Sequence, residues 1–288
     1  MNKIAVFSMD IEDWYHLDYF AGKNIDPSQT MLDGLQVYRE ILSQYKIPSS
    51  YFVLGELIDQ LAGSLRELSE EGADIGVHGW SHLRPLLMEQ SALAEDLGRA
   101  KTLLENTIQK PVAGYRAPCF SLDRDRLEVV RQAGFVYDSS RILFKEHPLY
   151  GTLDMGGFSE LMPNIFQEGD FFEFQISTLS LAGFNIPVSG GGYIRMLPWF
   201  LMDSLIKKYL RQSGIYVLYI HPFELSQNPQ PVLPEHISAA TRMRFALGRH
   251  SVKAKLHSLI QLLREEGYET ITFAELRRRL MCDGRVGI

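Results

Sequence analysis

The chain has 288 residues, 45% of them hydrophobic and 22% charged, and its mean hydropathy is near zero; this is the composition of a globular protein with a sizeable core. A formal net charge of -6 argues against non-specific binding to nucleic acid or to an anionic membrane. Only two cysteines occur, Cys119 and Cys282, so neither a disulfide framework nor a cysteine-based zinc site is expected, and reduced thiols are.

In chain order, the apolar run Lys3–Met9 reads as a buried strand that stops at acids. It is too short for a signal-peptide core or a membrane span. A cytoplasmic protein without stable membrane insertion is therefore expected. Met31–Tyr45 carries apolar residues at helical spacing, and Pro48 separates it from a second strand, Ser50–Leu54. Leu57–Glu71 reads as a helix closed by Gly72, and Ala73–Val77 as a strand. Glu89–Ile108 is a long predicted helix, followed by the strand Val112–Tyr115, the helix Asp123–Ala133 closed by Gly134, and the strand Phe135–Tyr137. Residues 141–197 are rich in Gly, Pro and aromatics without a helical period, and read as irregular β-structure or a long, irregular insertion. Alternation resumes with a helix over Trp199–Arg211, the strand Ile215–Ile220, a proline-rich loop Ser226–Pro234, a helix over Val252–Glu265, a strand Tyr268–Ile271 and a helix Phe273–Leu280. Seven strands alternating with helices predict an α/β fold of parallel βα units, a distorted (β/α) barrel forming a single domain over residues 1–288.

The polar clusters fall just after the predicted strands: Asp10–Asp13, His78–His82, Arg116, Asp138 and His221. In a barrel those strand ends share one face, and that face carries the chemistry. His78 and His82, four apart, meet if the segment turns helically. Asp10 and Glu12 point the same way along an extended strand, and two neighbouring buried acids need a cation or a shared proton. Two histidines and one carboxylate form an open metal site. Zn²⁺ suits the ligand types, and Co²⁺, Ni²⁺, Fe²⁺ or Mn²⁺ are also compatible. The carboxylate is either Glu12 or Asp13, with strand alternation favouring Glu12.

At these residues the chain resembles the polysaccharide deacetylases (the NodB-homology, or carbohydrate esterase 4, family). The motifs are Ser8–Asp13, His78–His82, Gly114–Pro118, Tyr137–Ser140 and Leu218–Pro222. Gly190–Tyr193 and His221–Glu224 resemble the branch found with exopolysaccharide and O-antigen loci. The family's usual adjacent Asp-Asp is here Asp-Ile-Glu-Asp. The resemblance implies Asp10 as general base, Arg116 as its partner, and His78 and His82 with an acid of the first motif as metal ligands. It implies His221 as general acid, with Asp138 orienting it. The activity implied is removal of an acetyl group from an N-acetylated sugar, with a nucleotide- or lipid-linked precursor as the expected substrate. An O-acetyl esterase, a cyclic amide hydrolase and a catalytically inactive sugar-binding protein are the alternatives. Oligomeric state is not readable. Gly190–Tyr193 is expected as a loop over the pocket, and Cys119 as a small packing residue near the site.

Overall fold

The computed structural model describes residues 3–144 and 149–283. Its centre is a sheet begun by β1 (Ile4–Ile11), whose eight residues are all buried. A strand covered on both faces reads as a continuous apolar run rather than an alternating one. β2 (Ser49–Val53), β3 (Asp74–Val77), β4 (Gly114–Tyr115) and β5 (Tyr137–Asp138) follow in parallel on one side of β1. The crossovers carry α1 (Gly34–Tyr45), α2 (Ala62–Glu70), α3 (Gln90–Ile108) and α4 (Arg124–Gln132). α1 begins at a residue with no side chain because a Cβ at Gly34 would lie 1.9 Å from the carbonyl oxygen of Pro222.

Residues 141–197 hold β-structure, one of the two expected readings, and it is regularly paired. They carry β6 (Ser159–Met162), β7 (Ile165–Glu168) and β8 (Phe171–Phe174), an antiparallel meander whose last strand joins β5 in parallel. β9 (Thr178–Leu181) and β10 (Phe184–Pro187) form a separate hairpin. Its two turn residues, Ala182 and Gly183, both have positive φ (50° and 82°), as a primed hairpin turn demands. α5 (Gly191–Met196) and α6 (Trp199–Leu210) then lead to β11 (Ile215–Ile220), which pairs with the free side of β1.

After β11 come α7 (Pro222–Leu225), α8 (Ala239–Ala246), α9 (Val252–Glu265), β12 (Glu269–Thr270) and α10 (Phe273–Asp283). The sheet order is β11-β1-β2-β3-β4-β5-β8-β7-β6, with β12 also on β1. The expected α/β architecture is present as a curled half-barrel. Among the described residues the sheet has ten strands rather than seven, because the three strands of the meander extend it. Beneath the curl lies an aromatic floor of Phe52, Tyr137, Phe172, Phe174 and Phe273, all buried.

Candidate active site

Register brings the strand ends level. Ile11, Val53, Val77, Tyr115 and Asp138 stand side by side on β1 to β5, and Met9 stands beside Ile220 on β11. The residues just past these ends, Glu12, His78, Arg116 and His221, are thereby gathered on one rim with Asp10. All but Arg116 line a cleft of about 210 Å³.

The histidine segment does not turn helically. Gly79 (φ 80°) and His82 (φ 60°) adopt left-handed backbone, and the loop between them is pinned where the Trp80 amide donates to the Asp96 carboxylate at 2.9 Å. The two imidazoles still meet, with ring centroids 5.4 Å apart. His78 Nδ1 lies 2.7 Å from the Arg116 carbonyl oxygen, so Nδ1 donates and Nε2 keeps its lone pair for a ligand role. Burial pushes the His78 pKa down to about 4, which keeps the ring neutral.

Glu12, His78 and His82 each present a ligand atom, and the three lie within 4.8 Å of one another. Glu12 Oε2 is 2.7 Å from His82 Nε2 yet accepts no well-aligned hydrogen bond. Close approach without alignment is how two ligand atoms sit around a shared cation. Burial works against a charge on Glu12, but the fields of His82, His221 and His78 and a contact with His82 outweigh it. They hold the carboxyl well below the usual range.

Asp13 is engaged elsewhere. Its Oδ1 accepts from the amides of Trp14 (2.8 Å) and Met31 (2.9 Å), and its Oδ2 from the Thr30 hydroxyl. It caps the short helical turn Trp14–His16.

Arg116 is wholly buried. Its Nη1 donates to Asp10 Oδ1 at 2.6 Å and Ser8 Oγ at 2.9 Å, its Nε to the Ser139 carbonyl at 3.0 Å, and its Nη2 to Ser139 Oγ at 2.9 Å. The guanidinium lies 4.3 Å above the Phe52 ring. Asp10 is thus fixed by a cation that is itself held on three sides, the arrangement a buried charge pair requires.

His221 sits with Nε2 3.5 Å from Glu12 Oε1 and Nδ1 3.3 Å from Glu224 Oε2. The same Glu224 oxygen accepts the His221 amide at 3.1 Å. Burial alone depresses the His221 pKa; the hydrogen bond it donates to Glu224 and the charges of Glu12 and Glu224 overcome it and raise it to about 9.

The expected partner of this histidine, Asp138, is not there. Its oxygens accept from Ser140 Oγ (2.7 Å) and Ser140 N (3.0 Å), and it stands beside Glu173 in the β5–β8 register. In the sheet order β5 is separated from β11 by β1 to β4, which is why Glu224, one turn from His221 itself, takes the place instead.

Residues 35–137 match the family model for polysaccharide deacetylase, and residues 139–274 match a model described as a domain of unknown function, DUF3473. A peptidoglycan deacetylase of Helicobacter pylori is 25% identical over 194 residues, 67% of this chain and 62% of that protein. Over residues 35–137 the chain is similar to the polysaccharide deacetylases. A peptidoglycan deacetylase-like protein of Gibberella zeae is 26% identical over 91 residues, 32% of this chain and 27% of its own. The chain thus spans less than two thirds of the length of these curated relatives. Among solved structures, a Mycobacterium smegmatis protein assigned as a polysaccharide deacetylase shares the fold with a TM-score of 0.63 and 15% identity, covering 98% of this chain and 92% of that one. A carbohydrate esterase 4 pseudoenzyme of Bacillus anthracis shares it with a TM-score of 0.54 and 10% identity, covering 96% and 66%.

Two sequence motifs acquire a structural meaning that their residues alone do not announce. Gly190 precedes α5 as its cap and Gly191 opens the helix, so the segment is a helix start and not a loop, although Gly192 and Tyr193 do line the cleft. A Cβ at Gly191 would lie 1.8 Å from Glu224 Oε2; the glycine clears space for a protein carboxylate rather than for a ligand. Glu224 in turn faces the buried Arg195, Oε1 to Nε 3.7 Å. The signal that points to Glu224 is the capping-box spacing His-Pro-Phe-Glu, with the proline at the first helical position. Cys119 lines the cleft as expected, and burial pushes its thiol well above the usual range, away from nucleophilic use.

Proposed function

We propose that the chain hydrolyses the acetamido group of an N-acetylated sugar, giving acetate and a free amine, with a divalent metal held by Glu12, His78 and His82. The observation that carries this reading is one cleft holding the three converging ligand atoms together with Asp10 and His221. The fit to a metal is supported by the orphaned Glu12 Oε2 and by the two-histidine, one-carboxylate donor set, which suits Zn²⁺ and accepts Co²⁺, Ni²⁺, Fe²⁺ or Mn²⁺. When bound, such an ion lowers the pKa of water and polarises an amide carbonyl.

The chain's own groups divide the proton work. Asp10, held by Arg116, accepts a proton from the attacking water as the new C–O bond forms. His221 gives a proton to the departing nitrogen as the C–N bond breaks, while Glu224 fixes the ring through Nδ1. The relatives named as peptidoglycan deacetylases support an N-acetylated amino sugar. The resemblance to the exopolysaccharide branch favours a bacterial surface-polysaccharide precursor, carried on a nucleotide or lipid.

The test is release of acetate together with free amine from N-acetylated oligosaccharides, beside O-acetylated sugars of the same backbone. Amine release lost in His78→Ala is the expected result. Acetate released from the esters alone would make the protein an O-acetyl esterase. No release from either set by metal-loaded protein would align it with the pseudoenzyme relative.

A further inference from the structure

Several charged groups of the cleft take no part in the proposed hydrolysis, and one of them also lacks an ion-pair partner among the described residues. Around the cleft wall, Asp10 is paired with Arg116, Glu224 with Arg195 and His221, and Asp18 with Arg84 at 3.4 Å. Arg244 also lines the cleft and is exposed. Among the described residues no carboxylate lies within ion-pairing distance of it. Its guanidinium carbon sits 5.1 Å over the ring of Tyr19; Tyr19 also lines the cleft, and its buried hydroxyl has no hydrogen-bond partner.

The backbone under Arg244 is unusually well fixed for a surface helix. Buried Arg195 donates from Nη1 to the carbonyl oxygens of Arg244 (2.7 Å), Phe245 (2.9 Å) and Leu247 (2.9 Å), the end of α8. Phe245 is fully buried among Trp14, Phe20 and Phe223. One residue therefore holds both Glu224, behind the proposed acid, and the helix that presents Arg244. A cation stacked on an aromatic ring, on a braced helix, facing a cleft, is preorganised to receive an oxyanion.

We propose that Arg244 and Tyr19 form a subsite for an anionic group of the substrate, so that the enzyme acts on acidic rather than neutral N-acetylated sugars. This rests on the reading of the cleft as a deacetylase site. The oxyanion is either a carboxylate on the sugar or a phosphate on its anomeric carbon; both offer the paired oxygens that a guanidinium binds bidentately.

The experiment is calorimetric binding of three probes to the metal-loaded full chain: N-acetylglucosamine, N-acetylmuramic acid and N-acetylglucosamine 1-phosphate. Each is measured with wild type, Arg244→Gln and Arg244→Lys, and acetate release is followed in parallel. Wild type is expected to bind one anionic probe at least about tenfold more tightly than the neutral one, as a charged hydrogen bond gives. That ratio should collapse in Arg244→Gln and return in part in Arg244→Lys. The anionic probe with the larger ratio identifies the source. Equal affinity for all three in wild type, or a ratio untouched in Arg244→Gln, overturns the subsite. Because binding is read directly, loss of the deacetylase reading shows as absent acetate release with the affinity ratio intact.

Discussion

Glu12 and Asp13 are adjacent acids with opposite fates, and two substitutions separate them. Glu12→Gln removes the carboxylate that faces both histidines and is expected to abolish metal retention, measured as bound ion per chain. Asp13→Ala leaves two amides and a hydroxyl without their acceptor and is expected to cost about 1–3 kcal/mol of stability while the metal stays; a thermal melt beside the metal count reads both. Glu224 invites a sharper experiment. Glu224→Gln keeps the shape beside His221 but removes the charge, and turnover is expected to fall by about 10²–10⁴, the span that general acid catalysis supplies, with metal content unchanged. Gly191→Ala should mimic it by pressing on Glu224 Oε2. Normal turnover in Glu224→Gln would mean that His221 needs no orienting acid.

Strands explain why some of the site could be read in advance and some could not. β1 and β11 announce themselves as unbroken apolar runs that end in an acid and a histidine, and parallel pairing then sets those residues level. That the acids after β1 and the histidine after β11 share one rim was readable for that reason. The partner of His221 was not, since Asp138 and Glu224 both follow strands and only the sheet order tells which is near. β6 to β10 were hidden because short strands broken by Gly and Asn have no period of their own, and cross-strand contacts decide their register.

β8 also creates a pair that no local pattern shows: Glu173 beside Asp138, both fully buried. Burial, then the charge of Asp138, drives the Glu173 pKa well above the usual range, and burial raises that of Asp138. The folded state therefore holds a proton that the unfolded chain releases at ordinary carboxylate pH. This contribution to stability is complete below the unfolded pKa and declines as pH rises toward the folded one, by up to about 1.4 kcal/mol per pH unit for one proton. Glu173→Gln is expected to flatten that slope above about pH 4.5 in denaturant titrations; an unchanged slope would remove the pair from the account.

For the molecule as a whole, the half-barrel acts as a frame that carries four separate segments to one rim, on an aromatic floor over which the Arg116 guanidinium lies. The meander extends the frame, and the segment around α8 walls the cleft. No helix of the described residues is long and apolar enough to cross a membrane. The central claim is that Glu12, His78 and His82 hold one catalytic ion. It is tested most directly by titrating Zn²⁺ into metal-stripped protein while following acetate release from an N-acetylated oligosaccharide. The account predicts no release without metal, recovery complete near one equivalent, and no recovery in His78→Ala. Full activity in the stripped protein, or recovery in His78→Ala equal to wild type, would contradict it.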